Sequence, residues 1–278
     1  MKSLLAAAFA LAALCGQAQT PERPKVYALV SAIGGDISVV RQRADVGSNL
    51  EPYRRYTVHM PDASVDMAVL RGLDRAVASE DPDSTRVFLR MDPEQVRGVL
   101  PYKRGEVVPA RAIAALEMMP ERKDWDRIIL VTPRWLQPGR DGMGTKLHGI
   151  GIYIQPLGRN IAGILDADAG IETAMDPDTA SPTGEKGRSY KYVAPYFYAQ
   201  MWVLDAKTMK VLETNERYDF QRLYDPNSTA IDVAKQIPVE QLATLVERFV
   251  ERAAAQSLND PQGEVIIKEH GPVNPGRK

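Results

Sequence analysis

The chain has 278 residues, 35 basic against 36 acidic side chains, and a formal charge of -1. That balance argues against nucleic acid or an anionic membrane as the main partner. A single cysteine excludes a disulfide framework, and an apolar fraction of 44% is ordinary for a globular protein.

Residues 1–18 read as a signal peptide. Lys2 supplies the positive start, Leu4 to Leu14 the apolar run, and Gly16-Gln17-Ala18 a small-x-small cleavage site. Leu14 stands before Cys15 where a lipoprotein site wants a small residue, so the expectation is a periplasmic or secreted protein without a lipid anchor. No later stretch is apolar for the roughly 18 residues that an integral membrane segment needs. Residues 25–260 then form one domain, and 261–278, with its Pro and Gly, a disordered tail.

Lys25–Ile33 and Asp36–Arg41 are strand-like runs on either side of Gly34-Gly35, which predicts a short hairpin. Tyr56–Met60 is a further short strand. Pro61-Asp62 opens a helix, with Val65, Val69, Leu70, Leu73 and Val77 on one face. Arg86–Arg90 is a strand, Asp92-Pro93 caps a short helix to Val99, and Pro109–Met119 is another helix. Arg127–Thr132 is a continuous apolar run of buried-strand type, and Gly149–Gln155 is a strand after a glycine-rich link. Residues 158–170 fit helix or loop. Thr173–Ser189 is dense in Asp, Pro, Gly and Ser and reads as a mobile loop.

Tyr196–Tyr218 holds two strand-like runs about the turn Asp205-Ala206-Lys207-Thr208, where the Asp carboxylate can accept a backbone N–H. It predicts a long hairpin at the sheet centre, with Trp202 substantially buried. Thr229–Gln236 reads as a short helix. Pro238 starts a longer one, with an apolar stripe through Leu242, Leu245, Val246, Phe249, Val250 and Ala253. The fold class is α/β (α+β): a mixed, largely antiparallel β-sheet with packed helices in a single domain.

The segment Y-A-Q-M-W-V-L-D-A-K-T-M-K-V-L-E, with a buried I-I-L-V strand before it and an amphipathic helix after it, resembles the periplasmic α/β envelope-assembly domains of the CsgG and LpoB type. Asp205 and Thr208 match their D-x-x-T-G turn; Met209 stands where the glycine is usual. The likeness covers the second half of the chain. It implies a non-catalytic accessory role and carries over no site residue.

The other motifs yield little chemistry. Gly139–Lys146 lacks the phosphate-loop spacing. Asp166, Asp168 and Glu172 lack a third Asp and the distal Glu of a calcium loop, so no metal is expected. Gly35-Asp36-Ile37-Ser38 lacks the nucleophile placement of an esterase, and the three histidines are scattered. Neither a catalytic residue nor a cofactor is expected. The loop from Arg134 to His148 is the best functional surface, and Trp135, Arg140 and His148 are its candidate binding residues. The chain reads as an exported binding or envelope-accessory protein whose partner is an envelope protein or cell-wall component. The alternative is a periplasmic hydrolase with its site in residues 134–190.

Overall fold

The computed structural model describes residues 23–42, 53–91, 98–100, 103–134, 148–155, 179–180, 186–187, 192–221, 223 and 238–259. In chain order the elements are β1 (Val26–Ser31), β2 (Asp36–Gln42), β3 (Tyr53–His59), α1 (Ser64–Glu80), β4 (Thr85–Arg90), α2 (Arg104–Glu117), β5 (Arg127–Pro133) and β6 (Ile150–Gln155). β7 (Thr179–Ala180), β8 (Lys186–Gly187), β9 (Tyr192–Asp205), β10 (Val211–Phe220) and α3 (Val239–Asn259) follow. Eight strands form one mixed sheet, with four antiparallel and three parallel pairings. The expected α/β class holds. No described helix is long and apolar enough to cross a membrane.

β9 organises the sheet. Its 14 residues have two edges, and β10 takes Tyr196 to Leu204 on one of them. β5 pairs Ala199–Asp205 and β6 pairs Tyr192–Phe197, so these two strands share the other edge, end to end. β1 and β2 form the next row: β1 runs parallel to β5, and β2 parallel to β6. Partner numbers differ by 100 in the first pairing (Tyr27 with Arg127) and by 113 in the second (Ser38 with Gly151). The link between β5 and β6 is therefore 13 residues longer than the link between β1 and β2, an excursion from the strand row whose residues 135–147 lie outside the described residues. β4 flanks β1 in parallel, and β3 flanks β2 antiparallel.

This arrangement corrects the hairpin expected at Gly34-Gly35. Gly34 does take the left-handed conformation, φ 83°, but the turn is a jog between two collinear strands that do not pair with each other. The ladder runs on through it, with Ala32 N–H donating to Val131 O at 2.9 Å. Inside the jog, the buried Asp66 carboxylate of α1 accepts from Ser31 Oγ at 2.5 Å and from Gly34 N–H at 3.2 Å. The burial argument explains the outcome. Ala28, Leu29, Val30 and Val40 are fully buried, and pairing each strand with a central row covers more apolar surface than a terminal hairpin could.

α1 and α3 cover one face of the sheet over Leu29, Ile129, Val131, Ile152, Phe197 and Met201. They approach closely at Gly72, where an added Cβ would stand 2.3 Å from the Glu251 carbonyl oxygen. α2 covers part of the other face, packing Val108, Ala112 and Leu116 against Ala28, Val30, Ile128 and Leu130. It begins a turn earlier than Pro109 suggested, because a proline near a helix start removes only one early hydrogen bond. Beside it on the same face lie Val40, Tyr153, Tyr196 and Tyr198.

The 205–208 turn forms as read. Asp205 Oδ1 accepts from Thr208 N–H at 2.8 Å, Thr208 Oγ1 at 2.9 Å and Lys207 N–H at 3.1 Å. Met209 takes the left-handed conformation, φ 57°, that the usual glycine would adopt freely. The hairpin as a whole is less central than expected, because β10 pairs only β9 among the described residues and begins exposed. Trp202 is only partly buried against the α2 cluster. The helix expected from Asp92 and that at 229–236 lie largely outside the described residues. So do the leader, the tail, residues 158–172 and most of 173–189, where only the short β7–β8 pair is described.

Candidate functional site

The stem of the 135–147 excursion is closed by backbone bonds. Arg134 N–H donates to Tyr198 O at 2.9 Å, Gly149 N–H to Arg134 O at 2.9 Å, and Tyr198 N–H to Gly149 O at 2.7 Å. Arg134 and Gly149 thus both address Tyr198, a two-against-one geometry that needs a bulge, and Gly149 supplies it with φ 62°.

On the entry side, alternation from Leu130 and Thr132 puts Arg134 on the α2 face, where β10 brings Glu216 and Tyr218 opposite Gln200 and Tyr198. Arg134 Nη2 lies 2.6 Å from Glu216 Oε1, Nη1 donates to Gln200 Oε1 at 3.3 Å, and Nε reaches Tyr218 Oη at 3.4 Å. Tyr218 donates to Glu216 Oε2 at 2.6 Å. Burial, and then the Glu216 carboxylate, raise the Tyr218 hydroxyl above its usual pKa, so it stays a donor. Trp202 Nε1 donates to Thr132 Oγ1 at 3.0 Å. Arg134 is thereby tied to two strands at once, β9 and β10.

On the exit side, His148 is 4% exposed. Burial first, then the charges of Arg55 and Arg104, push its pKa down to about 3, so the ring is neutral at physiological pH. Next to it the fully buried Tyr196 lays its hydroxyl over Gly151, where a Cβ would come within 2.4 Å of that oxygen and 2.1 Å of Ser38 O. Desolvation holds the Tyr196 hydroxyl far above its ordinary range. Burial lowers the Arg104 guanidinium from its usual value, with Asp36 opposing.

Of the three candidate binding residues, only His148 is among those described, and it stands inside the stem rather than on a contact surface. A buried neutral imidazole there can position the exit of the excursion. Trp135 and Arg140 lie outside the described residues. Sequence reasoning missed Arg55, Arg104, Glu216 and Tyr218, which come from three separate elements, β3, α2 and β10. Tyr218 was within reach, since a hairpin turning at Asp205–Thr208 sets it opposite Tyr198.

It also missed a cross-strand pair, His59 Nδ1 to Asp36 Oδ1 at 2.9 Å, beside Gly35. Both side chains are exposed, 75% and 48%. An aspartate that orients an imidazole is half of a base-activated nucleophile, but no hydroxyl or thiol among the described residues is hydrogen-bonded to His59. Among the described residues no three His, Cys, Asp or Glu side chains gather closely enough to hold a metal. No protein-family model and no curated protein matches the chain.

Proposed function

We propose that the chain is an exported recognition domain of the cell envelope, without catalytic activity, that meets an envelope protein or cell-wall component through the 134–148 segment. The observation that carries this reading is the excursion itself. The link from β5 to β6 is 13 residues longer than that from β1 to β2, and bonds at Arg134 and Gly149 secure its two ends. Insertions on a rigid base are a common way to display contact residues. Trp135 and Arg140 are of the types most enriched at interface hot spots. The leader-like start and the hairpin resemblance support the envelope setting.

The test is capture of envelope components on the purified mature protein, compared with Trp135→Ala and Arg140→Ala. Each substitution should weaken a bound partner by about 1–3 kcal/mol. Retention of full capture by the double variant would overturn the proposal. A second reading, a periplasmic hydrolase, has one observation in its favour, the Asp36–His59 pair. A hydrolytic activity abolished by His59→Ala, with the thermal midpoint unchanged, would establish it instead.

A further inference from the structure

A second feature lies at the opposite end of the sheet. β5 starts at Arg127, and seven residues at about 3.3 Å each put that end roughly 23 Å from Arg134. There the starts of β1 and β5 meet the β9–β10 turn around a cavity of about 300 Å³ lined by Arg23, Lys25, Asp126, Arg127, Asp205 and Lys207. Four cationic side chains face two carboxylates.

Both carboxylates have structural work. Asp126 receives Arg23 on Oδ1 at 2.6 Å and Val26 N–H on Oδ2 at 2.9 Å, which anchors the start of β1. Asp205 spends Oδ1 on the turn at Lys207 and Thr208 and receives Arg127 on Oδ2 at 3.3 Å. Each acid offsets one arginine while holding backbone in place. Lys207 Nζ donates to the neutral Lys123 carbonyl oxygen, which leaves its charge in place, so with Lys25 the wall keeps a surplus of two positive charges. A strand end and a hydrogen-bonded turn hold the backbones of Lys25 and Lys207 in place. The side chains of Arg23 and Arg127 are 62% and 40% exposed, so the cavity opens to solvent.

We propose that this cavity binds a phosphate group, carried either by a small solute or by a lipid headgroup. A dianion matches the surplus charge, and arginine forks and lysine ammoniums are the side chains that recognise it. The site shares no residue with the 134–148 segment and does not depend on the function proposed for it.

The test uses the full mature protein at low salt. Inorganic phosphate is titrated by calorimetry, and vesicles of phosphatidylcholine with and without phosphatidic acid are tested by flotation. Lys25→Gln/Lys207→Gln is the informative variant, because replacing either arginine would strand a carboxylate. Saturable phosphate binding, weakened at least about tenfold in the double variant with an unchanged thermal midpoint, supports the site. Flotation with phosphatidic acid alone, lost in the same variant, supports it with a lipid as the source. If the double variant is unstable, phosphate-dependent amide shifts at Lys25, Arg127 and Lys207 in the unaltered protein decide. Absence of both responses overturns the proposal. Binding that survives the double variant, or that disappears with Arg55→Gln at the other end, overturns it equally.

Discussion

Gly72→Ala separates local helix preference from packing. In an isolated helix alanine is favoured over glycine by about 1 kcal/mol, so the substitution in the middle of α1 would stabilise. The α3 contact predicts the reverse. The new Cβ would lie 2.3 Å from Glu251 O, 2.8 Å from Ala254 Cβ and 3.0 Å from Ala255 N. Two of these atoms are helix backbone and cannot swing aside. Reaching ordinary contact near 3.5 Å requires the helices to part by about 1 Å, and a gap of that size forfeits a quarter to a half of the dispersion between facing atoms. Val69, Leu73, Val246, Val250 and Ala253 all belong to the core that would loosen. Overpacking of this kind costs about 1–3 kcal/mol, and the lost contacts add to it. The Arg71–Glu251 and Arg75–Glu251 pairs on the rim are exposed on the arginine side and contribute little either way. The net expectation is a loss of about 1–3 kcal/mol, or a thermal midpoint lower by roughly 3–10 °C. Urea titration of the purified protein measures it. An unchanged or raised stability would refute the close approach of α1 and α3.

Two aspartates should respond to pH in opposite senses. Desolvation raises the pKa of Asp66 in the folded state despite its bonds to Ser31 and Gly34, so the native protein holds that proton more tightly than the unfolded chain, whose value is about 3.9. Stability from this group falls as pH rises from there through the folded value, and Asp66→Asn should gain on the wild type as pH increases; a difference that is flat with pH would refute this. Asp205 is held below its ordinary value, first by the Thr208 backbone N–H and then by the Thr208 hydroxyl, so its contribution is present above about 3.9 and is lost on acidification through the folded value. Asp205→Asn should therefore cost more at pH 7 than at pH 3, and an equal cost at both would count against the turn geometry. Trp202→Ala should cost about 2–4 kcal/mol in denaturant titration, below the usual range for a fully buried tryptophan because the ring is only partly covered.

How much of this was legible depends on whether a feature is local. The turn at Asp205 was readable because an aspartate three residues before a threonine closes its own hydrogen bonds, whatever surrounds it. β5 was readable because Ile128 to Val131 has no polar face to present to water. Gly34-Gly35 misled because its local chemistry permits two outcomes. A left-handed glycine can reverse a strand or merely offset it, and the choice falls to partners about a hundred residues away. Trp202 misled in a milder way, since an apolar neighbour on each side says nothing of how far the covering helix reaches.

The candidate site shows the same limit more sharply. Its central fact is a difference between two registers, Tyr27 with Arg127 and Ser38 with Gly151, and neither register exists until the strands have paired. Read linearly, Arg134 to His148 is a glycine-rich connection between two strands, and His148 is one more polar residue in it. Once β1 and β2 are seen to form one row, the same residues become an interruption in another row, and the two ends of the interruption must lie side by side. That juxtaposition puts His148 inside the sheet and explains its burial. It also explains why Arg134 carries so many bonds: a strand forced to break needs something other than its own ladder to hold the broken end, and Glu216, Tyr218 and Gln200 supply it. The residues at the stem are thus explained by folding, which leaves the 13 between them as the part of this segment whose presence the sheet does not require.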